Sequence, residues 1–166
     1  MAIANNLKAY IICVDSSVDI YNGNLTSFTC LLPARYRNVQ SAELIDVFVP
    51  GIANVYYLYM SIKPFDQLVS PSAGINFAFA KLPLEKGSSD SVVYVETNGY
   101  NYPPVRLENP IATLDRLAVS FLDSSGKLVE QSNSCSFQLR IVTGDLAPFT
   151  GGTTITHTSR IVGGTS

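Results

Sequence analysis

Two runs in the second half of the chain restrict its fold more than any other feature. In residues 117–122, Leu117, Val119 and Phe121 alternate with Ala118, Ser120 and Leu122. In residues 135–141, Cys135, Phe137, Leu139 and Ile141 alternate with Ser136, Gln138 and Arg140. A period of two is the signature of a half-buried β-strand, because successive side chains leave opposite faces of the pleat. Asp123-Ser124-Ser125-Gly126 between them reads as a turn: Asp bonds backbone amides just ahead of it, and Gly tolerates positive φ. Residues 109–141 are therefore predicted to form an antiparallel ribbon of two strands, with Leu117, Val119, Phe121, Phe137, Leu139 and Ile141 in the core.

The rest of the chain keeps the same rhythm. Residues 7–14 alternate as a first strand. Asn22-Gly23 predicts a tight type I′ hairpin between Val18 and Ile20 on one side and Phe28, Cys30 and Leu32 on the other. A loop over 33–38 precedes a strand over 41–49 with Ile45, Val47 and Val49 on one face. An aromatic strand over 55–62 follows, close enough to pair with it as a hairpin and closed by Pro64. A short helix is predicted around 64–69, then strands over 76–82, 92–96 and 105–108. Asn98-Gly99 marks another turn. No stretch sustains helical periodicity, and about eight to ten short strands at this spacing indicate an all-β sandwich or barrel. At 166 residues the chain reads as one domain over 1–143. Residues 144–166 form a Gly- and Thr-rich tail, read as partly disordered, with Phe149, Ile155, Ile161 and Val162 as anchors against a neighbour.

Composition bears on what covers the surface. Only 14% of residues are charged against 46% hydrophobic, where an average soluble protein has roughly 25% charged; mean hydropathy is +0.20. Such a chain either covers itself with Ser, Thr, Asn and Tyr or hides much of its surface against other subunits, whose contacts favour aromatic over charged residues. The second reading is preferred. A formal net charge of −2 argues against direct binding to nucleic acid, which needs clustered Lys and Arg. No run approaches the ~20 apolar residues of a membrane span, and the first residues lack the pattern of a secretory signal. A cytosol-like site of synthesis follows.

The three cysteines, Cys13, Cys30 and Cys135, show no CxxC spacing and are expected to be buried free thiols, with a Cys13–Cys30 bridge as the alternative. The single histidine, His157, lies in the tail, so neither a histidine-based triad nor a multi-histidine metal site is available. GxSxG, GxGxxG, P-loop and HExxH patterns are absent. Glu43, Asp46, Asp115, Asp123 and Glu130 are the acidic residues that paired-carboxylate chemistry would need, but carboxylates spaced along strands are more often solvated faces or turn formers. No catalytic residue, cofactor or metal is expected.

One family resemblance stands out. Pro110, Leu114, Leu117, Val119-Ser120-Phe121, Asp123, Gly126 and the run Ser136-Phe137-Gln138-Leu139-Arg140-Ile141 resemble the C-terminal part of single jelly-roll capsid proteins of the nucleocytoplasmic large DNA viruses. These are the penton proteins of the fivefold vertices and related minor capsid proteins. Arg140 departs from the pattern, standing where the family often has an acidic residue. The resemblance implies an eight-stranded antiparallel jelly roll, two four-stranded sheets face to face. It also implies a structural role: a homopentamer at the vertices of the virion capsid, next to the major capsid protein and other capsid proteins, assembled in the host cell cytoplasm. The alternatives are a minor capsid protein and, from another class, a lectin-like jelly roll that stacks sugars on tyrosines.

Two segments are candidates for the subunit interface. Arg35-Tyr36-Arg37 sets two guanidinium groups around a phenol, suited to carboxylate pairing and stacking. Tyr100 and Tyr102 stand beside the rigid Pro103-Pro104 pair.

Overall fold

The computed structural model describes residues 7–49, 55–68, 78–84, 92–95, 103–131 and 133–144. These form eight strands: β1 (Leu7–Asp15), β2 (Ile20–Gly23), β3 (Ser27–Val49), β4 (Tyr57–Lys63), β5 (Ala80–Pro83), β6 (Val92–Val95), β7 (Val105–Leu122) and β8 (Ser136–Gly144). Every pairing is antiparallel. The strands make one curled sheet in the order β1-β8-β3-β7-β4-β5, with β2 and β6 also pairing with β3. No helix occurs among the described residues.

The alternation at 117–122 and 135–141 has the predicted effect. Leu117, Val119, Phe121, Phe137, Leu139 and Ile141 are all fully buried, in one core with Ile12, Val14, Phe28, Val39, Leu58 and Met60. The two strands are not, however, partners. β3 lies between β7 and β8, so the predicted ribbon is corrected to a crossover. The Asp123 turn forms: its carboxylate accepts from the amides of Ser125 and Lys127 at 2.7 and 3.0 Å, and Gly126 has φ 81°. It returns the chain only as far as Leu128 and Val129, which close on the end of β7. The chain then passes the Thr26 hydroxyl, which accepts from the Gln131 amide, and starts β8 beside Ser16, whose hydroxyl accepts from the Cys135 amide at 2.8 Å.

β3 is the frame. On one edge Ser27–Ala42 pair with β7 and 46–49 with β6, while on the other edge 39–48 pair with β8. The predicted loop at 33–38 is part of this strand. Leu31 pairs Arg116 and Tyr36 pairs Leu114, so residues 32–35 stand opposite Asp115 alone. The surplus forms a wide bulge that holds Pro33, which has no amide for the ladder and is tolerated where pairing is interrupted. A counterpart lies on β7. Val39 pairs Ile111 and Ser41 pairs Arg106, leaving 107–110, with Pro110, opposite Gln40. Residues 105–108 and the start of the supposed ribbon are therefore one strand, β7.

A smaller bulge corrects the face assigned to 41–49. Leu44 pairs Leu139 and Asp46 pairs Gln138, leaving Ile45 as an extra residue. The inward phase changes across it: Ala42 and Leu44 are buried before it, Val47 and Val49 after it, and Ile45 is only partly buried. The hairpin predicted between 41–49 and 55–62 is also absent, since β4 pairs β5 and β7. At 64–68 a tight turn replaces the predicted helix. The Asp66 carboxylate accepts from the Ile62 amide at 2.8 Å and from the Ser61 hydroxyl, and Phe65 is driven into the core.

The predicted Asn22-Gly23 hairpin turns three residues later, at Leu25-Thr26. Gly23 pairs Phe28 with φ 109°, and Asn24 turns the chain by accepting from the amides of Thr26 and Ser27. A Cβ on Gly23 would collide with the Ser27 carbonyl. All three cysteines are free; Cys30 and Cys135 are buried, but Cys13 is exposed, because β1 turns only Ile12 and Val14 to the core. The Asn98-Gly99 turn and the tail beyond Gly144 lie outside the described residues.

Candidate assembly surface

The bulge in β3 sets the geometry of the first candidate surface. With four residues opposite one, the strand arches outward and presents Ala34, Arg35 and Arg37 to solvent. Directly after it, Asn38 takes φ 51° and its amide group donates to the Gly144 carbonyl at 2.7 Å. Asn is among the few residues that occupy this left-handed region readily. The bond ties the arch to the end of β8, where a Cβ on Gly144 would overlap the Gln40 side chain. An open groove of about 380 Å³ results, lined by the arch, by Lys8 and Tyr10 of β1 and by Thr143. Tyr36 packs edge-on against Tyr10 with ring centroids 5.0 Å apart.

Of the predicted interface residues, the structure therefore brings Arg35, Tyr36 and Arg37 onto one groove. Lys8 and Tyr10 join them without any local signal in the chain, because that proximity depends on the Leu7–Gly144 register of β1 on β8. Arg35 also reaches Asp115 at 3.8 Å, and Asp115 contacts Arg116 at 3.1 Å. Both arginines are well exposed, so these pairs contribute about 0–1 kcal/mol each. Their guanidinium groups lie at the surface, where a partner could compete for them. Tyr100 and Tyr102 lie outside the described residues.

The other end of the same three strands has the opposite sign. Asp15, Asp19 and Asp46 line a second groove of about 360 Å³ with Cys13, Phe48 and Gln138. The Ser17 side chain and amide beside Asp15 hold its carboxyl below the usual range, whereas burial pushes Asp46 up, opposed by a hydrogen bond from the Gln138 backbone. A third patch sits on β4 and β5. Tyr57 and Tyr59 meet edge to face at 5.8 Å, and the Lys81 ammonium lies 4.1 Å from the Tyr57 ring centre. The aromatic run at 55–62 was the only sequence trace of it.

Of the acidic residues considered for catalysis, Glu43 and Asp123 hold local structure together. Glu43 accepts from Arg140 at 2.7 Å across the β3–β8 pair, so the arginine that departs from the family pattern is engaged within its own chain. Asp123 holds its turn, with its carboxyl lowered chiefly by the Ser125 hydroxyl. Among the described residues no group of three His, Cys, Asp or Glu is placed to hold a metal, and no helix is long and apolar enough to cross a membrane.

These features define a class: an all-β protein whose distinctive sites, among the described residues, are grooves and aromatic patches on a curled sheet. Comparison with known proteins agrees. The chain is 36% identical over 152 residues, 89% of its own length and 89% of the relative's, to the penton capsid protein P1 of Paramecium bursaria Chlorella virus 1. No family model matches it. The chain belongs to the penton capsid proteins of the large DNA viruses, and it is a structural protein of the virion capsid.

Proposed function

We propose that this protein is the vertex subunit of an icosahedral capsid, five copies forming a ring on the fivefold axis with the major capsid protein around it. The observation that carries this is the 36% identity, over 89% of the chain, with a penton protein. Closed rotational symmetry lets one heterologous contact repeat around such a ring. Arg35, Tyr36 and Arg37, with Tyr100 and Tyr102, are assigned to that contact, and assembly is placed in the host cytoplasm. Residues 1–143 are the domain that builds the ring, and 144–166 its tail.

The same reading takes the curled sheet as a jelly roll. A jelly roll is a long antiparallel hairpin wrapped around a core, so its units pair first with last, second with seventh, and inward. Counting the two halves of β3 as separate units and leaving β2 aside, β1 pairs β8, the first half of β3 pairs β7, its second half pairs β6, and β4 pairs β5. The lateral pairs β8 with β3 and β7 with β4 then give two ribbons of four. This pattern supports the jelly roll over a simple meander.

Native mass spectrometry with negative-stain imaging tests the proposal. A five-copy species and fivefold rings are expected. A monomer that binds glycans would instead make it a lectin-like module, and a monomer that binds only preformed major capsid protein would make it a minor capsid protein.

A further inference from the structure

Among the described residues the sheet has several open edges, and they are not alike. β2, β5 and β6 are four residues each; β2 is bulged between Ile20 and Asn22, and β5 ends on Pro83. Short, bulged or proline-ended edges are the usual defences against pairing with another chain. β1 has none of them. Its nine residues pair with β8 without a register shift, from Leu7 on Gly144 to Asp15 on Ser136, and among the described residues β8 is its one strand partner. It contains no proline and one lysine. Its outer face is apolar as well: Leu7 is 57% and Ile11 59% exposed, in one row with Ala9 and Cys13. A long, straight, apolar edge is a template for an added strand.

The chain itself carries a segment suited to that template. Twenty-two residues follow Gly144, and within them 153–162 read TTITHTSRIV, seven of the ten β-branched. Thr, Ile and Val favour a pleated, half-buried strand, and Ile155 and Ile161 fall on one face of it. The Gly151-Gly152 pair ahead of the segment provides a joint. β8 delivers the chain to the Leu7 end of β1. A segment folding back along its own β1 from there would run parallel to it, the slightly less stable pairing per residue. A neighbouring copy imposes no such direction and allows an antiparallel match.

We propose that residues 153–162 of each copy add as an edge strand to β1 of a neighbouring copy, with Ile155 and Ile161 over the Leu7–Ile11 row. This rests on the ring proposed above and deepens it by assigning the tail a receiving surface, distinct from the arginine arch. Stitching each subunit to the next covers the one undefended edge among the described strands and fixes the order of copies around the ring.

The exposed Cys13 provides the test. One full-length chain carries Cys13→Ser and, in turn, a single cysteine at Thr154, Ile155, Thr156, His157 or Thr158. The other is the unaltered chain, labelled with heavy nitrogen. After mixing, dissociation, reassembly and brief oxidation with diamide, a disulfide between tail and Cys13 can join only different copies. Mixed-isotope dimers are expected, with yields at least fivefold higher at alternate tail positions than at the positions between them. Ile11→Asp in the labelled chain should lower the yield at least fivefold. Rings with no such dimers at any position would overturn the proposal and leave the ring intact. So would a tail cysteine that joins Cys13 only within its own chain when both are present. If no rings form, the ring reading itself fails, and tail-to-β1 dimers would then show pairwise exchange without closure.

Discussion

Phe137 sums up how a residue fixes this fold. It lies on the inward row of β8 and is 1% exposed, opposite Val14 on β1 and Val47 on β3. Phe137→Ala should cost about 3–5 kcal/mol, through lost burial and the cavity left behind. That is a large part of a typical domain's 5–15 kcal/mol. Urea titration measures it, and a loss under ~1 kcal/mol would contradict the inward assignment. The cysteines divide by the same logic. Burial pushes the Cys30 thiol up to about 11 and raises Cys135 as well, while Cys13 is exposed. Ellman's reagent at pH 8 should titrate one thiol quickly in the native protein and three after denaturation, because the thiolate is the reactive form. The linked stability has a definite sign. The fold favours the protonated Cys30, so its contribution is intact below the unfolded value of 9.0 and is lost as pH rises through about 11. Denaturation midpoints should therefore fall more steeply between pH 9 and 11 in the parent than in Cys30→Ala.

At the level of elements, the sequence disclosed strands better than their partners. Leu117 to Phe121 and Phe137 to Ile141 could be read because alternation is a local property, set by the pleat alone. Pairing was not local: β7 and β8 are consecutive long strands, yet β3, far earlier in the chain, separates them. Bulges hid the rest. Pro33 read as the start of a loop because proline cannot join a ladder, and Pro110 lay just past a predicted break between strands. Both instead sit in surplus segments that leave the strands continuous. Ile45 looked inward by simple counting, but one extra residue flips every side chain beyond it. At the candidate surface, Arg35, Tyr36 and Arg37 were legible as a charged aromatic triplet, whereas Lys8 and Tyr10 join them only through register. The β2–β3 hairpin gives an element-level test. Gly23→Ala puts a side chain at φ 109° against the Ser27 carbonyl, and should destabilise by more than about 1 kcal/mol in thermal or urea melts. An unchanged midpoint would mean that Gly23 has neither the positive φ nor the close Ser27 carbonyl described above.

For the whole molecule, the question is which contacts dominate between copies. With 14% charged residues and nine tyrosines, the chain has little charge to pair and many aromatic rings to bury. Desolvated aromatics are the usual anchors of interfaces, while rim charges tune rate and salt dependence. The arch fits the rim role: Arg35 is well exposed and already shares Asp115 with Arg116. Tyr36 is partly committed to Tyr10 within its own subunit. Association should therefore respond more to Tyr100→Ala with Tyr102→Ala than to Arg35→Gln with Arg37→Gln. Sedimentation velocity at several concentrations, with circular dichroism to confirm the fold, should show the tyrosine pair weakening the ring at least tenfold and the arginine pair by less. Raising salt from 0.1 to 0.5 M, which shortens the screening length to about 4 Å, should shift the parent's association by less than tenfold. If the arginine variant is wholly monomeric, or salt alone dissolves the ring while the tyrosine variant assembles like the parent, the contact is electrostatic. The groove of Arg35 and Arg37 would then be its centre, with an acidic surface such as the Asp15–Asp19–Asp46 end of the next copy as its complement.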